Sequence, residues 1–195
     1  GFAMLCEGNV QEVMDLAPVA HLAAIEGRVP FVNFFDGFRT SHEIQKVAVW
    51  DYDDLKEMCD MDAVAAFRKH ALNPERPNMR GSHENGDIFF QHREACNSYY
   101  TALPDVVEKY MGKIKVRLYR PWRADKLLAA IPATCKKIAV LDRTKEPGSQ
   151  GEPLYMDVVT ALANAGRTDI QVIGGRYGLG SKDTPPASVF AVYDE

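Results

Sequence analysis

The chain has 195 residues, of which 46% are hydrophobic and 26% are charged, so it falls within the range of one or two ordinary globular domains. Its formal net charge of -4 argues against nucleic acid as a partner, because binding a phosphate backbone requires a basic face. The longest strongly apolar stretch, residues 13–25, is too short to cross a bilayer, so we expect no membrane segment.

The first 35 residues predict a strand, a helix and a second strand of one parallel sheet. An apolar run at residues 1–6 precedes a helix that begins after Asn9, in a capping-box pattern, and ends at Gly27. Residues 31–35 have the composition of a buried strand and lead into a turn at Asp36.

The middle of the chain predicts short elements separated by a long connection. In chain order these are an extended segment at 44–50, short helices beginning near Asp53 and Asp62, a surface loop at 73–87, a helix at 91–99, and a helix from Pro104 to about Gly112.

The second half has a more regular rhythm, in which strands alternate with helices. We expect strands at 114–119, 137–141 and 170–173, helices at 124–131 and 152–165, a helix stop at Gly166, and a last helix opened by Pro185 and Pro186. Three strands that alternate with helices predict a second parallel sheet. Lys113, Lys115 and Arg117 alternate with apolar residues, which is typical of an edge strand protected by charge.

Ligands of open α/β sheets bind beyond the carboxyl ends of the strands, so the loops after the predicted strands are the candidate sites. The first loop brings together Asp36, Arg39, Thr40 and His42, a set that suits proton handling or anion recognition. The alternative is a capped turn, since such side chains also bond to local backbone.

Two later loops are the other candidates. Arg143 and Lys145 precede a helix start together with two glycines, as an anion site would need, although the spacing is not that of a phosphate loop. Gly174 and Gly175 open a glycine-rich loop that only loosely resembles a dinucleotide fingerprint. A nucleotide-binding protein is therefore a third, weaker possibility.

Metal sites and catalytic nucleophiles are not predicted by any spacing. His92 and Cys96 stand four residues apart on a predicted helix, but two ligands are too few for a closed site. The four cysteines lie far apart, which is typical of buried thiols in a reducing compartment, so we expect the cytoplasm, or an anaerobic organelle if the source is eukaryotic.

Several segments resemble the pyruvate:ferredoxin (flavodoxin) oxidoreductase family, in the same order and almost from end to end. They are GFAML at 1–5, NVQEVMDLA at 9–17, VPFVNFFDGFRTSHE at 29–43, ALNP at 71–74, KVRLYRP at 115–121, IAVLDRTKEPG at 138–148 and GGRYGLGS at 174–181.

This resemblance implies an α/β fold of parallel sheets and an internal fragment of a larger enzyme. Residues 1–112 would be the later part of a thiamine-diphosphate-binding-like (pyrimidine-binding) domain. Residues 113–195 would be a transketolase C-terminal-like, Rossmann-like domain. The complete enzyme would be a homodimer that oxidises pyruvate with coenzyme A to acetyl-CoA and carbon dioxide. It would use thiamine diphosphate with Mg and [4Fe–4S] clusters, and would pass electrons to ferredoxin or flavodoxin.

Two departures from the family pattern qualify this expectation. The residues that contact pyruvate and activate the cofactor would lie upstream of Gly1, so no catalytic residue is carried over and the fragment is expected to bind no cofactor alone. Around Gly112 the chain passes directly to the Lys115 strand, so the second domain would lack its first strand and helix. The alternative to an enzyme fragment is a non-enzymatic α/β interaction module derived from that enzyme.

Overall fold

A computed structural model describes residues 1–77, 84–111 and 118–194, and the chain divides into two units, Gly1–Pro121 and Trp122–Glu195. Within the described residues no helix combines the length and the apolar composition that a membrane span requires. The first unit extends to Pro121 because the strand Leu118–Arg120 belongs to its sheet. The domain boundary expected near residue 112 stays a prediction.

The predicted strand, helix and strand open the first unit. They are β1 (Ala3–Cys6), α1 (Val10–Gly27) and β2 (Phe31–Phe34), and the two strands pair in parallel with Ala3 opposite Phe31. The Asn9 side chain accepts a hydrogen bond from the Glu12 amide, and the Glu12 carboxylate accepts one from the Gly8 amide. This arrangement resembles a capping box, with Glu12 bound one residue before the N-cap, and it stabilises the first turn of α1 where the sequence predicts a helix start.

The remaining helices of the first unit are shorter, apart from the last. They are α2 (Tyr52–Met58), α3 (Met61–His70), α4 (Gly86–Ala95) and α5 (Asn97–Met111), and a 3-10 turn covers Thr40–His42. The predicted helix start at Pro104 is wrong, since Pro104 lies inside α5. Leu103, Val107 and Met111 are buried on either side of it, so packing of α5 outweighs the helix-breaking tendency of one proline.

The core of the first unit lies between β1, α1 and α5. Leu5, Leu16, Leu103 and Val107 have no exposed surface. Residues of β2 alternate between half-buried and exposed, with Val32 38% exposed, so the expectation of a fully buried strand is wrong. The alternation shows that the core covers one face of this strand only.

The third strand, β3 (Leu118–Arg120), pairs antiparallel with the edge of β1 opposite β2, so the sheet order is β2-β1-β3. We expected this segment to be the first strand of the second parallel sheet, and that expectation is wrong. Alternating apolar residues predict a strand and its two faces, but they do not predict its partner, because any unpaired strand edge can pair with it. Residues 112–117, which include Lys113, Lys115 and Arg117, lie outside the described residues.

The second unit is built from a parallel pair of strands. Its elements are α6 (Ala124–Ala130), β4 (Lys137–Asp142), α7 (Pro153–Asn164), β5 (Gln171–Arg176), a 3-10 turn (Leu179–Ser181) and α8 (Pro186–Tyr193). Gly166 has φ = 67°, and the amides of Gly166 and Arg167 bond to the carbonyls of Ala163 and Leu162. This Schellman arrangement ends α7 where predicted.

Close packing between α1 and α5 depends on the missing side chain of Gly27. A Cβ atom at this position would lie 2.3 Å from Cδ1 of Leu103, which is fully buried and cannot move aside. We expect Gly27→Ala to lower the free energy of unfolding by about 1–3 kcal/mol, because overpacking exceeds any gain in helix propensity.

Urea denaturation followed by circular dichroism measures this change. Gly37→Ala is the matched control, since nothing lies within 4 Å of a Cβ atom there. Equal stability of the two variants would contradict the packing argument.

Candidate functional site

The loop after β2 holds its side chains through local contacts. His42 Nδ1 lies 2.9 Å from the Phe38 carbonyl oxygen and 3.0 Å from Ser41 Oγ, and its ring stacks at a tilt on Phe38 with 5.6 Å between centroids. Asp36 and Thr40 are half-buried, whereas Arg39 and His42 are exposed. The four predicted residues are thus grouped on one short turn, and His42 Nδ1 is engaged by groups of that same turn.

In the second unit, the carboxylate of Asp142 caps the start of α7. Asp142 is buried at the carboxyl end of β4, and its two oxygens accept hydrogen bonds from the amides of Leu154 (3.0 Å) and Tyr155 (3.1 Å). The residue before them is Pro153, which has no N–H group. The chain itself therefore supplies the anion at this helix N-terminus.

A second buried carboxylate, Glu152, joins the loop before α7 to the end of β5. Its Oε2 accepts from the Glu146 amide at 2.8 Å, and its Oε1 accepts from Arg176 Nε at 2.5 Å. Burial raises the pKa of Glu152, but the hydrogen bonds from Arg176 and Glu146 and the charge of Lys145 outweigh it and hold this pKa below its ordinary value. Glu152 therefore carries its charge at neutral pH.

The two predicted loops of this unit meet at the carboxyl edge of the strand pair. Arg143 Nε donates to the Gly178 carbonyl at 3.2 Å, and the Tyr177 amide donates to the Asp142 carbonyl at 3.1 Å. Gly174 and Gly175 lie within β5, so the glycine-rich loop begins later than expected. Together with Gly151 and Arg176 they line a cavity of about 200 Å³.

Sequence reasoning missed a buried carboxyl in the first unit. Glu7 follows β1, is 4% exposed, and its side-chain oxygens have no hydrogen-bond partner within the described part of the chain. Burial, aided by repulsion from Glu12, raises the pKa of Glu7 to about 7. The available signal was its spacing: Ala3, Leu5 and Glu7 alternate, so they share one face of the strand.

A diphosphate is commonly bound through a divalent ion that prefers oxygen ligands. Among the described residues, no group of three or more His, Cys, Asp or Glu side chains is placed to hold a metal.

The fold and these clusters first define a class: an α/β protein whose polar side chains gather where parallel strands end. Residues 1–112 match the family described as pyruvate flavodoxin/ferredoxin oxidoreductase, thiamine diphosphate-binding, and residues 96–189 match pyruvate:ferredoxin oxidoreductase core domain II. The chain belongs to the pyruvate flavodoxin/ferredoxin oxidoreductase family, which confirms the resemblance.

Similar curated proteins extend this result. The chain is 49% identical to the pyruvate:ferredoxin oxidoreductase of Moorella thermoacetica and 45% identical to the pyruvate-flavodoxin oxidoreductase of Enterobacter agglomerans. Each comparison covers 100% of this chain but 21% of the relative. The pyruvate dehydrogenase [NADP(+)] of Cryptosporidium parvum is 39% identical over 100% of this chain and 13% of its own length.

The lengths of these alignments bear on the expected internal gap. The alignment with the Moorella protein runs over 244 residues, although the chain has 195. The relative therefore has roughly fifty positions without a counterpart here.

The cap formed by Asp142 gives a test of the second unit. We expect Asp142→Ala to lower its unfolding free energy by about 2 kcal/mol, because two amides at the start of α7 lose their acceptor. Urea denaturation followed by the fluorescence of Trp122, which packs in this unit's core, measures the change in a Trp50→Phe background. Thr160→Ala, at an exposed position of α7, is the control and should cause no loss.

The buried carboxyl of Glu7 predicts a pH-dependent stability. The pKa in the folded chain is about 7 against an ordinary 4.5, so the folded state binds the extra proton between these values. Stability should be highest below pH 4.5 with respect to this group, and should fall by at most about 3 kcal/mol as the pH rises to about 7.

Urea midpoints of the wild type, Glu7→Gln and Glu57→Gln at several pH values test this expectation. Glu7→Gln should lose the fall in stability, whereas Glu57→Gln, at an exposed site on α2, should keep it. The same pH slope in wild type and Glu7→Gln would show that Glu7 does not titrate in this range.

Proposed function

We propose that this chain is a segment of an oxidoreductase that converts pyruvate and coenzyme A to acetyl-CoA and carbon dioxide. The observation that carries the proposal is the end-to-end match to two consecutive domains of the family. The chain spans about a fifth of the Moorella and Enterobacter relatives, so other parts of such a protein would supply the chemistry.

The segment acts as a scaffold and not as a catalytic unit. We place no catalytic role on any described residue. Asp36, Arg39, Thr40 and His42 are proposed to line a site wall or a domain contact, because their turn follows the carboxyl end of β2. Arg143, Lys145, Gly174 and Gly175 are proposed as binding or contact residues at the corresponding edge of the second unit.

The complete enzyme would supply the cofactors and the partners. Thiamine diphosphate is supported by the description of the family that residues 1–112 match. We extend the proposal to Mg bound with this cofactor, to [4Fe–4S] clusters, and to transfer of electrons to ferredoxin or flavodoxin. We also propose a homodimer, a cytoplasmic location, and a domain boundary near residue 112. The two relatives are named for ferredoxin and for flavodoxin, which supports these two electron acceptors.

A second function is favoured by one observation, the apolar surface of the first unit. Ile44 is 99% exposed, Leu72 85% and Phe38 72%. Side chains of this kind mark a surface that another polypeptide covers. That polypeptide is either the rest of the oxidoreductase or, for an interaction module that kept the fold, a separate protein.

The purified chain should not reduce a viologen dye when supplied with pyruvate, coenzyme A, thiamine diphosphate and Mg²⁺, because a scaffold segment lacks the reacting groups. A complete oxidoreductase assayed in parallel is the positive control. Dye reduction by the chain alone, dependent on pyruvate, would overturn the scaffold assignment.

The intact mass of the native protein distinguishes a segment of the oxidoreductase from a separate interaction module. An antibody raised against residues 73–87 would recover it from its source. A very large polypeptide supports a segment of the oxidoreductase, whereas a native product near 21.8 kDa supports a separate module.

A further inference from the structure

The cavity beside β5 in the second unit has the size of a site for a small group. Its volume is about 200 Å³, room for about six or seven water molecules at roughly 30 Å³ each. Sites for whole drug-sized ligands occupy about 300–1,000 Å³. A complete nucleotide is therefore too large for this cavity, and a small molecule or one terminal group of a larger molecule fits.

Two glycines shape the walls of the cavity. A Cβ atom on Gly151 would lie 2.3 Å from Cδ1 of Tyr155, and one on Gly174 would lie 2.9 Å from Cδ2 of the same ring. The Tyr155 ring therefore packs directly against the backbone of both residues. Side chains at either glycine would displace this ring, which itself lines the cavity.

The principal donor that lines the cavity is Arg176. Its Nε atom is bound to Glu152, which is 4% exposed and is held in turn by the Glu146 amide. Within the described residues the two terminal nitrogens of Arg176 make no hydrogen bond, and 43% of the side chain is exposed. A guanidinium held at Nε thus presents a fixed pair of donors.

The charges near Arg176 and the other hydrogen-bond donors around it determine which ligand its guanidinium can bind. The start of α7 offers no competing donors, since the Leu154 and Tyr155 amides bind Asp142. The lining contains one cation, Arg176, and one carboxylate, Glu152, and the charge of Lys145 also acts on Glu152. A paired guanidinium fork matches the two oxygens of a carboxylate or a phosphate.

We propose that this cavity binds a small oxyanion, a carboxylate or phosphate group, on the terminal nitrogens of Arg176, with Glu152 as the residue that positions the guanidinium. The proposal depends on the second unit alone and does not require that the chain take part in pyruvate oxidation. It also gives Gly174, which packs against the Tyr155 ring, a role in shaping the site.

Titration of the 195-residue chain with sodium phosphate and, separately, with sodium acetate tests the proposal, with sodium chloride at equal ionic strength as the reference. Calorimetry measures affinity, and ¹⁵N-NMR locates the site through the amides of Gly151, Gly174 and Gly175. Saturable shifts at these amides with phosphate support a phosphate ligand, and with acetate a carboxylate ligand. Shifts with neither anion, or shifts that chloride reproduces, would overturn the proposal.

Variants of the ion pair make the test specific. Arg176→Gln should weaken binding by at least about tenfold, because charge-assisted bonds are lost. This variant leaves the buried Glu152 without its ion-pair partner, which could itself cause misfolding. The double variant Glu152→Gln/Arg176→Gln removes that risk, because it replaces the ion pair by two amides, and it should bind equally poorly. Arg167→Gln, at the opposite end of β5, is the matched control and should bind as the wild type does. Unchanged binding by a folded double variant would overturn the proposal.

Discussion

The second unit depends on two buried carboxylates that meet the backbone where its strands end. Asp142 accepts the first amides of α7, and Glu152 bridges the Glu146 amide to Arg176 at the end of β5. A buried charge is tolerated only when hydrogen-bond donors surround it, and here they come from three separate segments. These bonds therefore fix the relative positions of β4, α7 and β5, and with them the cavity beside Arg176.

The first unit has a buried carboxyl without that compensation. Glu7 lies directly after β1, whereas Asp142 is the last residue of β4, and the Glu7 oxygens have no hydrogen-bond partner among the described residues. Its pKa rises to about 7, which reflects burial first and the neighbouring Glu12 second. Glu152 is equally buried but accepts two hydrogen bonds, and its pKa lies below the ordinary value, so nearby donors decide the direction of the pKa shift.

Pairing of β3 with the edge of β1 stabilises the sheet of the first unit. The relatives are longer than this chain in the aligned region, and the chain pairs β3 with β1 and not with β4. An antiparallel partner satisfies the backbone groups along one edge of β1. Ile44 and Leu72, outside this sheet, remain exposed apolar side chains of the first unit.

The sequence by itself determined the class of fold, the positions of most elements and the family. Capping at Asn9, the stop at Gly166 and the alternation of strands and helices are local patterns, and local patterns are readable without neighbours. Tertiary structure alone decided that α5 continues through Pro104 and that β3 joins the first sheet. It also decided that Asp142, Glu152 and Arg176 meet in one cluster. In the sequence, these three residues look like ordinary charged residues of the surface. Burial and hydrogen-bond partners come from residues distant in the chain, and no local pattern specifies them.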